Sequence, residues 1–187
     1  MDNIHWRDIR YWRHKPLSDT LQTWLFSRDS LTQRLRAHCQ QAFQVEVLTE
    51  TWQYPLLSEA KALNIPLREY VRIRHVYLHC DHQPWVFART VIPRQTLTGQ
   101  YRRLARLGNY PLGSILFSSN RFPRSDLQVA QLSPAHLLYH LAQQQQQLSE
   151  KLLWARRSIF NLSGKSLLVN EIFLPEMSKQ FLDFTHQ

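Results

Sequence analysis

With 187 residues and a 43% share of hydrophobic residues, the chain is long enough to form one domain with a substantial hydrophobic core. Its net charge of +9 admits nucleic acid, an anionic membrane or a small acidic ligand as a partner. The basic residues are scattered, and no zinc-finger or RNP-type motif organises them, so we do not expect nucleic-acid binding.

No stretch of the chain resembles an export or membrane signal. The N-terminal residues are charged and aromatic and lack an apolar signal-peptide core, and no run reaches the roughly 18 apolar residues of a membrane span. The two cysteines, Cys39 and Cys80, are too few for a disulfide framework, and nothing in the sequence pairs them. We therefore expect a cytoplasmic, reduced protein.

Two helices are predicted in the first 40 residues. Ser18 and Asp19 offer N-cap chemistry before the first helix, and Ser30 with Gln33 forms a capping-box arrangement at the second. The first N–H groups of a helix have no acceptor within it. The backbone N–H of Leu31 is therefore open to water or to an anion.

The stretch 71–93 is typical of two strands joined by a polar turn at 81–84, and an alternating strand at 43–52 precedes it. Because side chains alternate along a strand, Arg74 shares a face with Arg72 and with the apolar residues Val76, Leu78 and Cys80. A guanidinium on such a face requires an anionic partner. An internal salt bridge or a ligand would supply one.

The region after this hairpin is less regular. A short helix is predicted near 101–107, ending at Gly108, and Pro111 can start another helical turn whose next residue, Leu112, has a free backbone N–H. We interpret residues 121–153 as a helical insertion on the surface, with its helix starting at Ser133-Pro134.

The C-terminal part predicts strands at 158–162 and 166–174, followed by a variable tail at 176–187. Glu171 lies on an otherwise apolar strand face, so it shows the same anomaly as Arg74 with opposite charge. Strands joined by short turns, with helices between them, predict a single α+β domain with an antiparallel sheet.

Other kinds of site are not indicated. His75, His79 and His82 cluster beside Cys80, but no second ligand cluster completes a zinc set, and we expect no metal. The four glycines form no phosphate loop or dinucleotide fingerprint, and no serine or cysteine stands in a nucleophile elbow, so no cofactor is expected. Arg72 and Arg89 remain alternatives to Arg74 for an anion contact.

Four blocks carry a family resemblance: RDSLTQRL, HCDHQPWVFARTVIP, YPLGSILF and SGKSLLVNEIFLP. In this order and spacing they resemble the bacterial chorismate pyruvate-lyase family. The resemblance runs from about residue 17 to residue 175, apart from the poorly matching segment at 121–153. It implies a single α+β domain, an antiparallel sheet with flanking helices, and a buried ligand site beneath a flap.

The resemblance also implies an activity and a site. The family converts chorismate to 4-hydroxybenzoate and pyruvate, the entry step to ubiquinone, without a cofactor. Its substrate arginine falls on Arg74, its glutamate on Glu171 and the leucine of its PLG motif on Leu112, which acts through its backbone N–H. Leu31 stands where a methionine is usual.

This resemblance predicts how a ligand would lie. Arg74 and the backbone N–H groups of Leu31 and Leu112 would hold a carboxylate, and Glu171 would face the ring hydroxyl. We expect a monomer that 4-hydroxybenzoate inhibits. The alternative is a non-catalytic module that binds a small aromatic acid, related to the effector domains of transcription regulators. Those domains normally follow a winged helix, and residues 1–16 are too short to form one.

Overall fold

The fold is organised by one antiparallel sheet. The computed structural model describes residues 4–117, 122–143 and 151–182, and within these the sheet has seven strands. In spatial order they are β1 (Arg7–Asp8), β5 (Gln128–Leu132), β6 (Leu153–Leu162), β7 (Lys165–Phe173), β4 (Gln83–Pro93), β3 (Val71–Cys80) and β2 (Phe43–Gln53). Every neighbouring pair is antiparallel, so the predicted α+β class and the antiparallel sheet are confirmed.

Short helices pack on both faces of the sheet. They are α1 (Ile9–Trp12), α2 (Asp19–Phe26), α3 (Leu31–His38), α4 (Leu57–Leu63), α5 (Leu112–Leu116), α6 (Leu137–Ala142) and α7 (Pro175–Leu182), with 3-10 turns at Arg94–Thr96 and Gly99–Ala105. Ser18 caps α2 by accepting from the N–H of Leu21, and Ser30 caps α3 by accepting from the N–H of Gln33. Both caps agree with the sequence prediction. No helix of the described residues is long and apolar enough to cross a bilayer.

The strand register separates two sets of side chains. On one face Arg74 lies opposite Thr90, and Ala88 lies opposite Glu171. On the other face His75, Arg89, Asn170, Arg157 and Gln128 form a single row across five strands. We call this set the back row.

The back row is held by one buried carboxylate from α4. Glu59 is fully buried and accepts two hydrogen bonds from Arg89, at 2.7 and 2.9 Å, and one from Asn170 at 2.9 Å. Arg89 also donates to Nε2 of His75 at 2.7 Å. Burial and the Arg89 charge lower the pKa of His75 to about 3, so its ring is neutral and can accept. Glu59 thereby joins β4 to β7, and Arg89 extends the connection to β3.

The segment at 121–153 differs from its predicted form. The strand β5 lies at its centre and pairs with β6, while α6 supplies the expected helix. The helical-insertion interpretation is therefore wrong for Gln128–Leu132. Val129 and Ala130 are both fully buried, which hides the alternation that would have marked a strand. Residues 118–121 and 144–150 lie outside the described part of the segment.

The C-terminal elements differ from their predicted bounds by a few residues. The strand β6 begins at Leu153, five residues before the predicted start at 158, and so includes Arg156 and Arg157. The tail predicted at 176–187 is helical as far as Leu182, and residues 183–187 lie outside the described chain.

The two cysteines are paired, contrary to the sequence prediction. Cys39 follows α3, Cys80 ends β3, and the structure joins them as a disulfide across a sequence separation of 41 residues. The expectation of an unpaired, reduced pair is therefore wrong in this structure. Beside them, the Asp81 carboxylate accepts from the N–H groups of Gln40, Gln41 and Ala42. These contacts attach the end of α3 to the hairpin.

The Glu59 contacts generate a stability prediction. Glu59→Gln keeps the shape but removes the charge that compensates buried Arg89, so it should lower the free energy of unfolding by about 3–5 kcal/mol. Urea unfolding monitored by circular dichroism measures this. The exposed pair of Arg28 and Asp126 supplies the control, because Asp126→Asn should have a far smaller effect. Equal losses in the two variants would contradict a special role for Glu59.

Candidate active site

A cavity lies between the front face of the sheet and the N-terminal ends of α3 and α5. It is a small cavity, with about 50 Å³ of space that water molecules could occupy. Most of its wall is apolar and comes from Val76, Leu78, Leu116, Phe117, Phe160 and Val169. An arginine, a glutamate and two threonines interrupt this wall.

All four residues singled out from the sequence line this cavity: Leu31, Arg74, Leu112 and Glu171. Arg74 and Glu171 stand on β3 and β7 with β4 between them, and the register offsets them by two residues. Two strand spacings and two residue rises place their Cα atoms roughly 12 Å apart. Their charged groups therefore approach the cavity from separate positions on one face.

Arg74 is almost completely buried and has several protein partners. Its Nη1 is hydrogen-bonded to the carboxylate of Glu50 and donates to the carbonyl of Gly108 at 2.7 Å. Its Nη2 donates to the carbonyl of Tyr110 at 3.2 Å. Burial lowers the pKa of Arg74, and Glu50 opposes that effect. Nε has no hydrogen-bond partner among the described residues, so its N–H remains available to a ligand.

Glu50 is a functional candidate that the sequence analysis missed. It lies on β2 directly opposite Arg74 and pairs with Arg74 through one oxygen, while the other lies 3.6 Å from Nη2 of Arg72. The sequence predicted a strand here but not its register, and register decides which residues face each other. Arg74 therefore forms an internal salt bridge and also lines the cavity. The sequence had left these two roles as alternatives.

Glu171 is bound by a second pair of arginines. Nε of Arg156 donates to its Oε2 at 2.6 Å, and Nη2 of Arg124 lies 3.8 Å from the same oxygen. Burial lowers the pKa of Arg124 to about 10, which still leaves it charged near neutral pH. The sequence prediction began this strand after Arg156, so it could not identify a residue that lies opposite Glu171.

Leu31 and Leu112 begin the two helices that cover the cavity. Leu31 is the first residue of α3 and Leu112 the first of α5, so neither backbone N–H has an acceptor inside its helix. Their side chains contribute only apolar surface. Leu31 and Leu112 line the same cavity because α3 and α5 are in contact.

The remaining sequence candidates lie elsewhere. Arg89 and His75 belong to the back row, on the opposite side of the sheet from the cavity. His79 is hydrogen-bonded to Glu46 at 2.8 Å. Cys80 is joined to Cys39, and Arg72 contacts Glu50 without lining the cavity.

The family model and the similar curated proteins indicate the same family. The chorismate lyase family model matches residues 2–182. A protein of Methylobacillus flagellatus named probable chorismate pyruvate-lyase is 43% identical, over 83% of this chain and 87% of its own length. A protein of Shewanella frigidimarina with the same name is 40% identical, over 93% and 90% of the two chains.

Solved structures share the fold at much lower identity. The effector domain of PhnF from Mycobacterium smegmatis has a TM-score of 0.55 and 11% identity, covering 80% of this chain and 91% of that chain. The C-terminal domain of the histidine utilization repressor from Pseudomonas syringae pv. tomato has a TM-score of 0.53 and 11% identity, covering 73% and 94%. These similarities show a common fold and carry no functional argument.

The family match spans nearly all of the sequence, and the curated relatives cover more than four fifths of it. The chain therefore belongs to the chorismate lyase family.

Proposed function

We propose that this protein is a chorismate pyruvate-lyase, which breaks the C–O bond between the enolpyruvyl group and the ring of chorismate. The observation that carries the proposal is one apolar cavity lined by a buried arginine and, two strands away, a glutamate. The products are pyruvate and 4-hydroxybenzoate. Family membership supports the same reaction.

Arg74 is the proposed carboxylate anchor. Its Nε–H can donate to an anion, and a charge-assisted bond of this kind is stronger than a neutral one. The backbone N–H groups of Leu31 and Leu112 would complete the anion site from the opposite wall. Glu50 balances the arginine charge when the cavity holds no ligand, and the carbonyls of Gly108 and Tyr110 fix the guanidinium plane.

Gly113 allows the two helix starts to approach each other. A Cβ atom at this position would lie 2.8 Å from Oγ1 of Thr32 and 3.3 Å from Oγ of Ser30, closer than side chains normally pack. A larger residue would therefore push α5 away from α3. The proposed anion site depends on this spacing, because its two backbone donors come from the two helices.

Glu171 is the proposed contact for the ring hydroxyl. It approaches the cavity from β7 and lines the same wall as Val169. A carboxylate there would accept a hydrogen bond from the hydroxyl and orient the ring. The apolar wall between Arg74 and Glu171 would enclose the ring itself.

The reaction balances without water or a redox partner. The ring loses the enolpyruvyl oxygen and the hydrogen on the carbon that bears the hydroxyl, and the enolpyruvyl methylene gains that hydrogen to become the methyl group of pyruvate. Formation of an aromatic ring favours the products strongly. Fixed orientation and preorganised charges can therefore supply most of the acceleration.

The proposal extends to the role of the reaction. We infer that it provides 4-hydroxybenzoate as the first committed step of ubiquinone biosynthesis, in a cytoplasmic monomer. Because 4-hydroxybenzoate carries the carboxylate and the hydroxyl that Arg74 and Glu171 are proposed to contact, we also expect it to inhibit the reaction. The non-catalytic alternative is not favoured, since the regulator domains share only 11% identity and the lyase relatives 40–43%.

The assay for the proposal follows conversion of chorismate by purified protein, using the ultraviolet absorbance of 4-hydroxybenzoate and an enzymatic pyruvate assay. Both products should appear in equal amounts. Binding of chorismate without release of pyruvate would overturn the proposal and favour a binding module.

Arg74→Ala should weaken the binding of 4-hydroxybenzoate by about 2–5 kcal/mol, because a buried charge pair with the carboxylate is lost. Calorimetry measures the affinity. Exposed Arg68→Ala removes the same charge from the surface and is the matched control, with near-normal affinity expected.

Glu171→Ala should impair turnover at least as much as binding. Near-normal turnover in both site variants would contradict the site assignment.

Gly113→Ala should lower stability by about 1–3 kcal/mol through overpacking and should also weaken 4-hydroxybenzoate binding. The double variant Gly113→Ala with Thr32→Ala removes the nearest atom and should recover part of both losses. Thermal unfolding and calorimetry provide the two measurements. An unchanged affinity in Gly113→Ala would show that the spacing of α3 and α5 does not matter for the ligand.

A further inference from the structure

Arg156 lies buried beside Glu171, outside the cavity lining. We propose that Arg156 is a positioning residue that holds Glu171 as an ionised, acceptor-only carboxylate with one oxygen directed to the cavity, so that the site selects ligands carrying a hydroxyl donor. This inference rests on the proposed function, because it assigns the specificity of the same cavity.

The guanidinium of Arg156 is fixed on two sides. Its Nε donates to Oε2 of Glu171 at 2.6 Å, and its Nη1 donates to the carbonyls of Trp24 at 2.7 Å and Ser27 at 3.0 Å. The side chain is only 1% exposed. These contacts join β6 to the C-terminal end of α2, so the guanidinium has little freedom to follow a moving carboxylate.

The burial of Arg156 requires a negative charge nearby. An arginine remains protonated in proteins, and a buried cation without a counter-ion is costly. Among the described residues, Glu171 is the only carboxylate that forms an ion pair with Arg156. An uncharged side chain at position 171 would leave this cation uncompensated.

Arg124 adds a second positive charge at the same oxygen. Its Nη2 lies 3.8 Å from Oε2 of Glu171, while its Nε donates to Ser158 at 2.8 Å and its Nη1 to the carbonyl of Arg28 at 3.0 Å. Two guanidinium groups therefore lie within 4 Å of Oε2.

The two arginines leave one oxygen of Glu171 for the ligand. Every hydrogen bond and ion pair of Glu171 within the described residues reaches Oε2, and Oε1 has no such partner there. An ionised carboxylate can only accept. The ring substituent facing Oε1 must then donate, as the hydroxyl of chorismate or 4-hydroxybenzoate does. Benzoate and 4-methoxybenzoate supply no donor, and a buried acceptor left without one is unfavourable.

The same contacts reach the cover of the cavity. Arg156 donates to the carbonyl of Trp24 in the last turn of α2, and Arg156 and Arg124 donate to the carbonyls of Ser27 and Arg28 in the turn that leads to α3. Leu31, which lines the cavity, begins α3 a few residues later. The charge on Glu171 is therefore connected through two arginines to the turn that positions Leu31.

The charge state can be measured in the folded wild-type protein. An infrared difference spectrum between wild type and Glu171→Gln at neutral pH should show the antisymmetric stretch of a carboxylate. A carbonyl stretch of a carboxylic acid in that difference would overturn the proposal. This measurement needs no variant of Arg156.

Variants of Arg156 test its positioning role through ligand selectivity. Arg156→Met should reduce the affinity for 4-hydroxybenzoate by about tenfold or more, while the affinity for benzoate should change much less. Arg156→Lys keeps the charge and should restore most of the preference for the hydroxyl. Arg157→Met removes a neighbouring buried arginine from the back face and should leave the ratio of the two affinities unchanged.

If Arg156→Met loses affinity for both ligands equally, or if Arg156→Lys does not restore the preference for the hydroxyl, Arg156 has only a structural role. Should Arg156→Met fail to fold, the infrared difference decides the charge state, and Arg156→Lys must retain the wild-type preference. Failure of the wild type to convert chorismate would instead refute the proposed function. The infrared spectrum and the two affinities would still test the role of Arg156, because neither measurement requires turnover.

Discussion

The buried carboxylate of Glu59 is the contact on which the geometry of the cavity depends. It binds Arg89 and Asn170 behind the sheet, and Arg89 in turn binds His75. Each of these back-row residues is the sequence neighbour of a residue that lines the cavity in front. Since adjacent residues of a strand face opposite sides, a contact that aligns the back row also sets the relative positions of Arg74, Thr90 and Glu171.

The charges of the cavity are balanced inside the protein before any ligand enters. Arg74 is paired with Glu50, and Glu171 is paired with Arg156. A buried ion pair contributes little net stability, because desolvation offsets the attraction, but it keeps both groups charged and oriented. Such an arrangement suits a reaction that needs a fixed electrostatic surrounding more than proton transfer.

Much of this site could be predicted from local patterns, and its supporting residues could not. Alternation alone placed Arg74 and Glu171 on apolar strand faces, and the helix caps placed Leu31. Glu50 and Arg156 were missed because their importance depends on which strands pair and in which register. The strand β5 was missed because both of its faces are covered, and the Cys39–Cys80 pair because helix α3 docks on a distant hairpin.

The covalent attachment of α3 at its C-terminal end has a mechanical consequence. The disulfide and the Asp81 contacts anchor the end near Cys39, while Leu31 at the other end is held by packing and hydrogen bonds alone. The helix is eight residues long, about 12 Å. Tilting it by roughly 10° about the anchored end moves Leu31 by about 2 Å. A hinge motion of this short helix would therefore move the Leu31 side of the cavity wall more than the side that the sheet forms.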